Sequence, residues 1–154
     1  MPDLKPPARF YFDDLRVGDR FTTGSYTVSE SQIKAFAAEF DPQPFHLDAE
    51  AARHSPFGGL VASGWHTAAI SMRLTVEGPL QFAGGVVGLG AELTWPLPMR
   101  PGDVLHVVSE IVELRASRSR ADRGIVTVRS ETLTQRGDIV QTLVAKLLVP
   151  ARSA

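Results

Sequence analysis

The sequence predicts an α+β fold in a single domain, on three observations. Apolar residues in the first half recur at helical spacing. The second half holds four long β-rich segments. No helical pattern separates those segments. Strands that follow one another directly pair antiparallel, and helices placed ahead of such a run define α+β. A chain of 154 residues without repeats or a long interior linker fits one domain with a real core.

Residues 1–9 contain three prolines and mixed charge and read as an extended leader, with the domain spanning 10–150. Val17-Gly18-Asp19 is a turn, and Arg20 to Val28 alternates weakly as one short strand. Ser29-Glu30-Ser31-Gln32 is a capping box, and Ile33, Phe36, Ala37 and Phe40 follow at helical spacing. That helix ends near Glu39, because Pro42 disfavours a helical Asp41. A short helix covers Ala49–Arg53, and Ser63 caps another from Gly64 to about Val76. The apolar positions of this second helix are Trp65, Ala68, Ala69, Met72 and Val76, flanked by Ile70 and Leu74, so it is expected to be deeply buried. The strands are Val86–Leu97, Val104–Leu114, Ile125–Gln135 and Ile139–Val149, with Arg136-Gly137-Asp138 as a hairpin turn.

Composition excludes several classes. Hydrophobic residues at 44% and charged residues at 21% are those of an ordinary globular domain. A net charge of −1 and a pI near 6.4 supply no basic field for nucleic acid or an acidic membrane. The absence of cysteine removes disulfides, thiolate zinc sites and Cys nucleophiles, and fits a reducing, cytoplasmic location. No apolar run reaches the ~18 residues of a membrane span.

The chemistry concentrates in Asp41-Pro42-Gln43-Pro44-Phe45-His46-Leu47-Asp48. Proline fixes φ near −65° and restricts its predecessor, so two of them stiffen the bend between a carboxylate and an imidazole. General acid–base catalysis needs such a fixed pair, and His titrates near neutrality. A lone Asp ending a helix, or a lone His serving a buried backbone group, would be structural; the stiffened pair favours function. A second signal is Gly58-Gly59-Leu60-Val61-Ala62-Ser63-Gly64, which leads into a helix N-terminus. The first amides of a helix lack internal partners and carry partial positive charge, so the N–H of Gly64 could hold an oxyanion. Ser63 capping and Gly64 packing would explain the same segment without a ligand.

Asp41-Pro-Gln-Pro-Phe-His46-Leu-Asp48, Ser55-Pro56-Phe57-Gly58-Gly59 and Ala62-Ser63-Gly64 together resemble the MaoC-type dehydratases, the (R)-specific enoyl-CoA hydratase group of hot-dog proteins. The resemblance spans about residues 12–149. It implies a long central helix, residues 64–76, wrapped by an antiparallel sheet, and a homodimer or higher homo-oligomer. It implies reversible addition of water to a 2-enoyl-CoA, with Asp41 and His46 as the acid–base pair and the N–H of Gly64 on the thioester oxygen. Ser63, Gln43, Phe45, Gly59 and Trp65 are the expected substrate-binding residues. The thioester is carried on coenzyme A, and no metal or redox cofactor is required. Gln43 departs from the family pattern, which has Asn there; it keeps the amide on a side chain one methylene longer.

Other features are weaker. Arg115, Arg118, Arg120 and Arg123 crowd one loop and could meet the phosphates of coenzyme A, though charge runs are usually solvated. His54 reads as structural and His106 as lying on a sheet face, while His66 reads as a satisfied core histidine, with a place lining the acyl pocket as the alternative. The Asp and His spacings match no metal motif. Gly84-Gly85-Val86-Val87-Gly88-Leu89-Gly90 lacks the helix that a dinucleotide loop requires, so its glycines thin or kink a strand. The rival readings are a hot-dog acyl-CoA thioesterase, which would cleave the C–S bond, and a non-catalytic acyl-CoA-binding or partner subunit.

Overall fold

The computed structural model describes residues 9–152, so all of the expected leader except Arg9 lies outside the described residues. After a 3-10 turn at Phe12–Asp14 come strands β1 (Arg20–Thr22) and β2 (Tyr26–Thr27). Helices α1 (Glu30–Phe40), α2 (Pro44–Leu47), α3 (Ala49–Arg53) and α4 (Gly64–Glu77) follow. Strands β3 (Val87–Thr94), β4 (Val104–Ala116), β5 (Arg123–Leu133) and β6 (Ile139–Pro150) complete the chain.

The N-terminal region is two strands where the sequence suggested one. Thr23-Gly24-Ser25 interrupts the ladder, yet both strands pair antiparallel with β4. Thr23 bridges the gap: its N–H donates to the Val107 carbonyl at 3.0 Å, and its Oγ1 accepts from the Val107 N–H at 2.9 Å. The capping box of α1 forms in full. Ser29 Oγ accepts from the Gln32 N–H at 3.2 Å, while Gln32 Oε1 accepts from the Ser29 N–H at 2.9 Å. Such a cap is worth about 1 kcal/mol.

The stiffened bend after α1 contains one turn of helix, α2, which the proline spacing alone does not predict. Pro44 occupies its first position, where a missing N–H costs nothing and the fixed φ suits the helix. Asp48 closes α2 and caps α3, its Oδ1 accepting from the Glu50 N–H at 2.8 Å.

The sheet is antiparallel, in the order β1-β4-β5-β6-β3, with β2 also on β4. Gly137 makes the β5–β6 turn at φ +83°, a conformation disfavoured for residues with a Cβ. The register of β3 on β6 shifts between Gly88 and Gly90, so the glycines of that run do kink a strand. The sheet curls round α4 in the hot-dog manner. One core cluster joins Ile33, Leu60, Ile70, Leu74 and Leu105; a second joins Leu15, Phe82, Ile111, Val126 and Val149. Among the described residues no helix is long and apolar enough to cross a membrane.

Helix α4 corrects the sequence reading. Its buried residues are His66, Thr67, Ile70, Ser71 and Leu74, whereas Trp65, Met72 and Val76 are 61%, 48% and 48% exposed. The polar face can be buried because its hydroxyls are satisfied. Ser71 Oγ donates to the Thr67 carbonyl at 2.7 Å and meets Thr132 Oγ1 at 2.6 Å, and Thr67 Oγ1 donates to Met99 Sδ at 3.8 Å. The apolar stripe is left facing an open cavity. His66 is a core histidine, stacked on Phe36 with centroids 4.6 Å apart. It is not a satisfied one: its Nδ1 has no partner among the described residues, and burial holds its pKa below the usual value.

Candidate active site

The stiffened bend delivers what the sequence asked of it. Helix α2 turns the His46 ring back beneath the end of α1, with Nε2 3.3 Å from Asp41 Oδ2. His46 is 5% exposed, and its Nδ1 lies 2.7 Å from the Val61 carbonyl. A carbonyl only accepts, so Nδ1 carries the proton and Nε2 is the nitrogen turned toward Asp41. Phe45 packs edge-on against the imidazole at 4.6 Å and against Phe57 at 5.3 Å.

Gln43 is bound to the carboxylate. Its Nε2 donates to Asp41 Oδ1 at 2.6 Å, and its backbone N–H donates to the Asp41 carbonyl at 2.7 Å. The longer amide therefore reaches the Asp41 carboxylate directly. Partial burial pushes the Asp41 carboxyl up, but the Gln43 bond, the neighbouring Ser63 hydroxyl and His46 outweigh it and hold the group below the usual carboxylate range. A lowered folded pKa adds stability above the unfolded value of about 3.9, lost as pH falls through the folded value. Removing the amide with Gln43→Ala is expected to raise the Asp41 pKa toward that ordinary value. A carbon-13 NMR titration of the carboxyl measures it, and an unmoved curve would show that Gln43 does not hold the charge.

Asp41, Gln43, Phe45, His46, Gly64 and Trp65 line one cavity of about 400 Å³, closed on its far side by Trp95 and the Pro96–Met99 segment. Gly64 is the first residue of α4, and its N–H has no partner among the described residues. The Trp95 ring lies flat against it: a Cβ on Gly64 would sit 2.6 Å from Trp95 Cδ2 and Cε2. Trp95 is pinned in turn, its Nε1 donating to Gln141 Oε1 at 3.0 Å. Buried Ser63 caps α4 by accepting from the Trp65 N–H at 3.3 Å. Gly59 stands outside the lining, in the loop that runs up to Val61.

The sequence reading did not place Trp95 or the Val61 carbonyl. The Trp-Pro-Leu-Pro run at 95–98 could have hinted at a rigid wall, but a backbone carbonyl leaves no trace in sequence. The four arginines expected in one loop are split: Arg115 lies in β4 and Arg123 opens β5, so the loop itself holds Arg118 and Arg120. Arg120 and Arg123 both engage Asp122, at 3.3 and 3.2 Å. None of the four lines this cavity. Among the described residues no three His, Asp or Glu side chains converge as a metal ion would need.

A long helix inside a curled antiparallel sheet is the hot-dog architecture, and an Asp–His pair at that helix's N-terminus equips it for proton transfer. The comparisons narrow the class. The family model described as MaoC like domain matches residues 15–134, and the chain belongs to that MaoC-like dehydratase family. A crystal structure of the MaoC-like dehydratase from Rhodospirillum rubrum is 57% identical, with TM-score 0.92, covering 94% of this chain and 99% of that one. The uncharacterized protein YdeM of Bacillus subtilis is 37% identical over 127 residues, 80% of this chain and 87% of its own. The 3-hydroxybutyryl-CoA dehydratase of Methylorubrum extorquens is 33% identical over 125 residues, 79% of this chain and 74% of its own.

Proposed function

We propose that this protein is an acyl-thioester hydratase/dehydratase that adds water reversibly to a 2-enoyl-CoA, giving an (R)-3-hydroxyacyl-CoA. The observation that carries the reading is the Asp41–His46 pair at 3.3 Å, facing the same cavity as the first residue of α4, Gly64, whose N–H has no partner among the described residues. Membership of the family supports it, as does a relative that bears the name of a 3-hydroxybutyryl-CoA dehydratase.

In this reading the thioester oxygen binds the Gly64 N–H, where the helix dipole also favours negative charge. A water held between Asp41 and His46 Nε2 gives its proton to the pair as its oxygen bonds the β-carbon. The π electrons move onto the thioester oxygen, and the enolate is held by the amide. The pair then returns a proton to the α-carbon, and the reverse sequence expels water. Burial of His46 limits competing solvent, and the Val61 carbonyl fixes the tautomer that each step needs. Phe45 and Trp65 wall the acyl group, and Gln43 and Ser63 hold Asp41. No metal or redox cofactor enters these steps, because the thioester itself acidifies the α-proton. The expected partner is a second copy of the chain: β3 is an edge strand and exposes Val87 and Leu89.

The test is loss of enoyl-thioester ultraviolet absorbance with crotonyl-CoA and longer 2-enoyl-CoAs, with free thiol detected in parallel. Absorbance loss without thiol, and an (R) product by chiral chromatography, is the expected result. Thiol release would make the protein a thioesterase. Silence on every thioester, from folded protein, would make it a binding subunit.

A further inference from the structure

The loop at 55–59 brings Phe57 to the catalytic cavity, and residues 96–99 form the far wall. The loop's own hydrogen bonds are local. Ser55 Oγ accepts from the Phe57 N–H at 3.2 Å and donates to the Ala52 carbonyl at 2.6 Å, and the Gly58 N–H donates to the Ser55 carbonyl at 3.1 Å. Among the described residues one bond comes from outside: Arg100 Nη2 donates to the Phe57 carbonyl at 2.8 Å, across 43 residues of sequence. Arg100 directly follows the far wall, so this bond ties the two sides of the cavity together. The arginine is fixed at its base. Its N–H donates to Asp103 Oδ2 at 2.9 Å, and its carbonyl accepts from the Asp103 N–H at 3.1 Å. Asp103 is buried, and its other oxygen takes Arg136 at 3.1 Å and Gln135 at 3.4 Å. That carboxylate is occupied, and the half-buried Arg100 guanidinium reaches across the rim instead.

We propose that Arg100 is a positioning residue for hydration: by holding the Phe57 carbonyl it keeps Phe57 and Phe45 packed on His46. The inference rests on the hydratase reading for its chemistry. Phe57 passes the constraint inward, its ring centroid 5.3 Å from that of Phe45, which lies 4.6 Å from the imidazole. The bond from His46 Nδ1 to the Val61 carbonyl fixes one ring nitrogen but leaves the ring free to tilt about it. The Phe45 edge opposes that tilt, and the tilt sets how Nε2 faces Asp41. Arg100 is not among the residues lining the cavity, so it acts through Phe57 and not on the substrate.

The experiment measures kcat and KM for crotonyl-CoA in wild type, Arg100→Met, Arg100→Lys, Phe57→Ala and the Arg100→Met/Phe57→Ala pair, at a temperature where all are folded by circular dichroism. Arg100→Met removes the donor and keeps the apolar stem; its kcat is expected to fall about tenfold, with KM within about twofold of wild type. Arg100→Lys keeps a cationic donor one atom shorter and should recover part of the rate. The pair should be no slower than Phe57→Ala alone, because both changes break one chain of contacts. Losses that multiply in the pair overturn the proposal. So does a raised KM with kcat unchanged, which would put Arg100 on the anionic carrier of the thioester. A lowered melting temperature with both constants at wild type overturns it too, leaving Arg100 a stability contact only. The NMR signals of the His46 ring, assigned by their loss in His46→Asn, read the strap without turnover, since the ring current of Phe45 shifts them as the two rings turn. They should move in Arg100→Met and return toward wild type in Arg100→Lys; signals that stay in place overturn the proposal. A wild type that hydrates nothing while these signals respond sinks the hydratase reading alone.

Discussion

Asp41→Asn is expected to lower kcat/KM for crotonyl-CoA by about 10²- to 10⁴-fold, the range for removing a positioned acid or base. The substitution keeps shape and removes only the charge and the proton affinity. Gln43 Nε2, now 2.6 Å from Oδ1, can still donate to an Asn oxygen, so the bend keeps its geometry. His46→Asn is expected to do the same to the rate and to cost stability as well. The Val61 carbonyl, buried at 1% exposure, loses its donor at 2.7 Å, a loss of about 1–3 kcal/mol. The double variant is the sharper test. Two groups that act on one water work as a unit, so removing both should slow hydration little more than removing either. Urea unfolding separates the two kinds of loss, since His46→Asn, which leaves the buried Val61 carbonyl without its donor, should unfold earlier than Asp41→Asn. An Asp41→Asn protein that keeps most of its hydration rate would take the carboxylate out of the chemistry.

The parts of this site that were legible in the sequence are those whose causes are local. Ser29 and Gln32 lie three residues apart and cap α1 without outside help. Pro42 and Pro44 stiffen the chain that joins Asp41 to His46, and that short, stiff connection leaves the two side chains within 3.3 Å. The strand segments were legible because turn residues bound them. What could not be read is what faces what. Periodicity located an apolar stripe on α4 but not the element opposite it, and the stripe proved to line a cavity while hydroxyls took the core side. The bond that makes this possible joins Ser71 to Thr132, partners 61 residues apart. The same holds for Trp95 over Gly64: the fold that puts the tryptophan just past β3 on the first turn of α4 is a property of the closed sheet, not of either segment. Gln43 was legible as a departure from the family pattern, but its bond to Asp41 was not, because side-chain reach alone does not say where an amide points.

Gly64→Ala is expected to cost about 10²- to 10³-fold in kcat, the loss typical of a removed oxyanion donor, although the amide itself is retained. The reason is steric. The added methyl would stand 2.6 Å from two Trp95 ring carbons, well inside van der Waals contact. Trp95 cannot yield freely, since its Nε1 is bonded to Gln141, which is 1% exposed. The first turn of α4 must then shift, and the Gly64 N–H shifts with it, away from where the thioester oxygen would lie. Crowding of this kind also lowers stability by about 1–3 kcal/mol, more than the ~1 kcal/mol that Ala gains over Gly in a helix interior. Two readouts separate displacement from simple destabilisation. At a temperature where Gly64→Ala is fully folded by circular dichroism, kcat should stay low while KM for crotonyl-CoA changes little. Pairing Gly64→Ala with Trp95→Leu removes the ring that the methyl strikes, and should return part of the rate. A pair no faster than Gly64→Ala alone would show that the tryptophan is not what displaces the amide. A Gly64→Ala protein with wild-type kcat would show that the N–H of residue 64 is not where the developing charge is held.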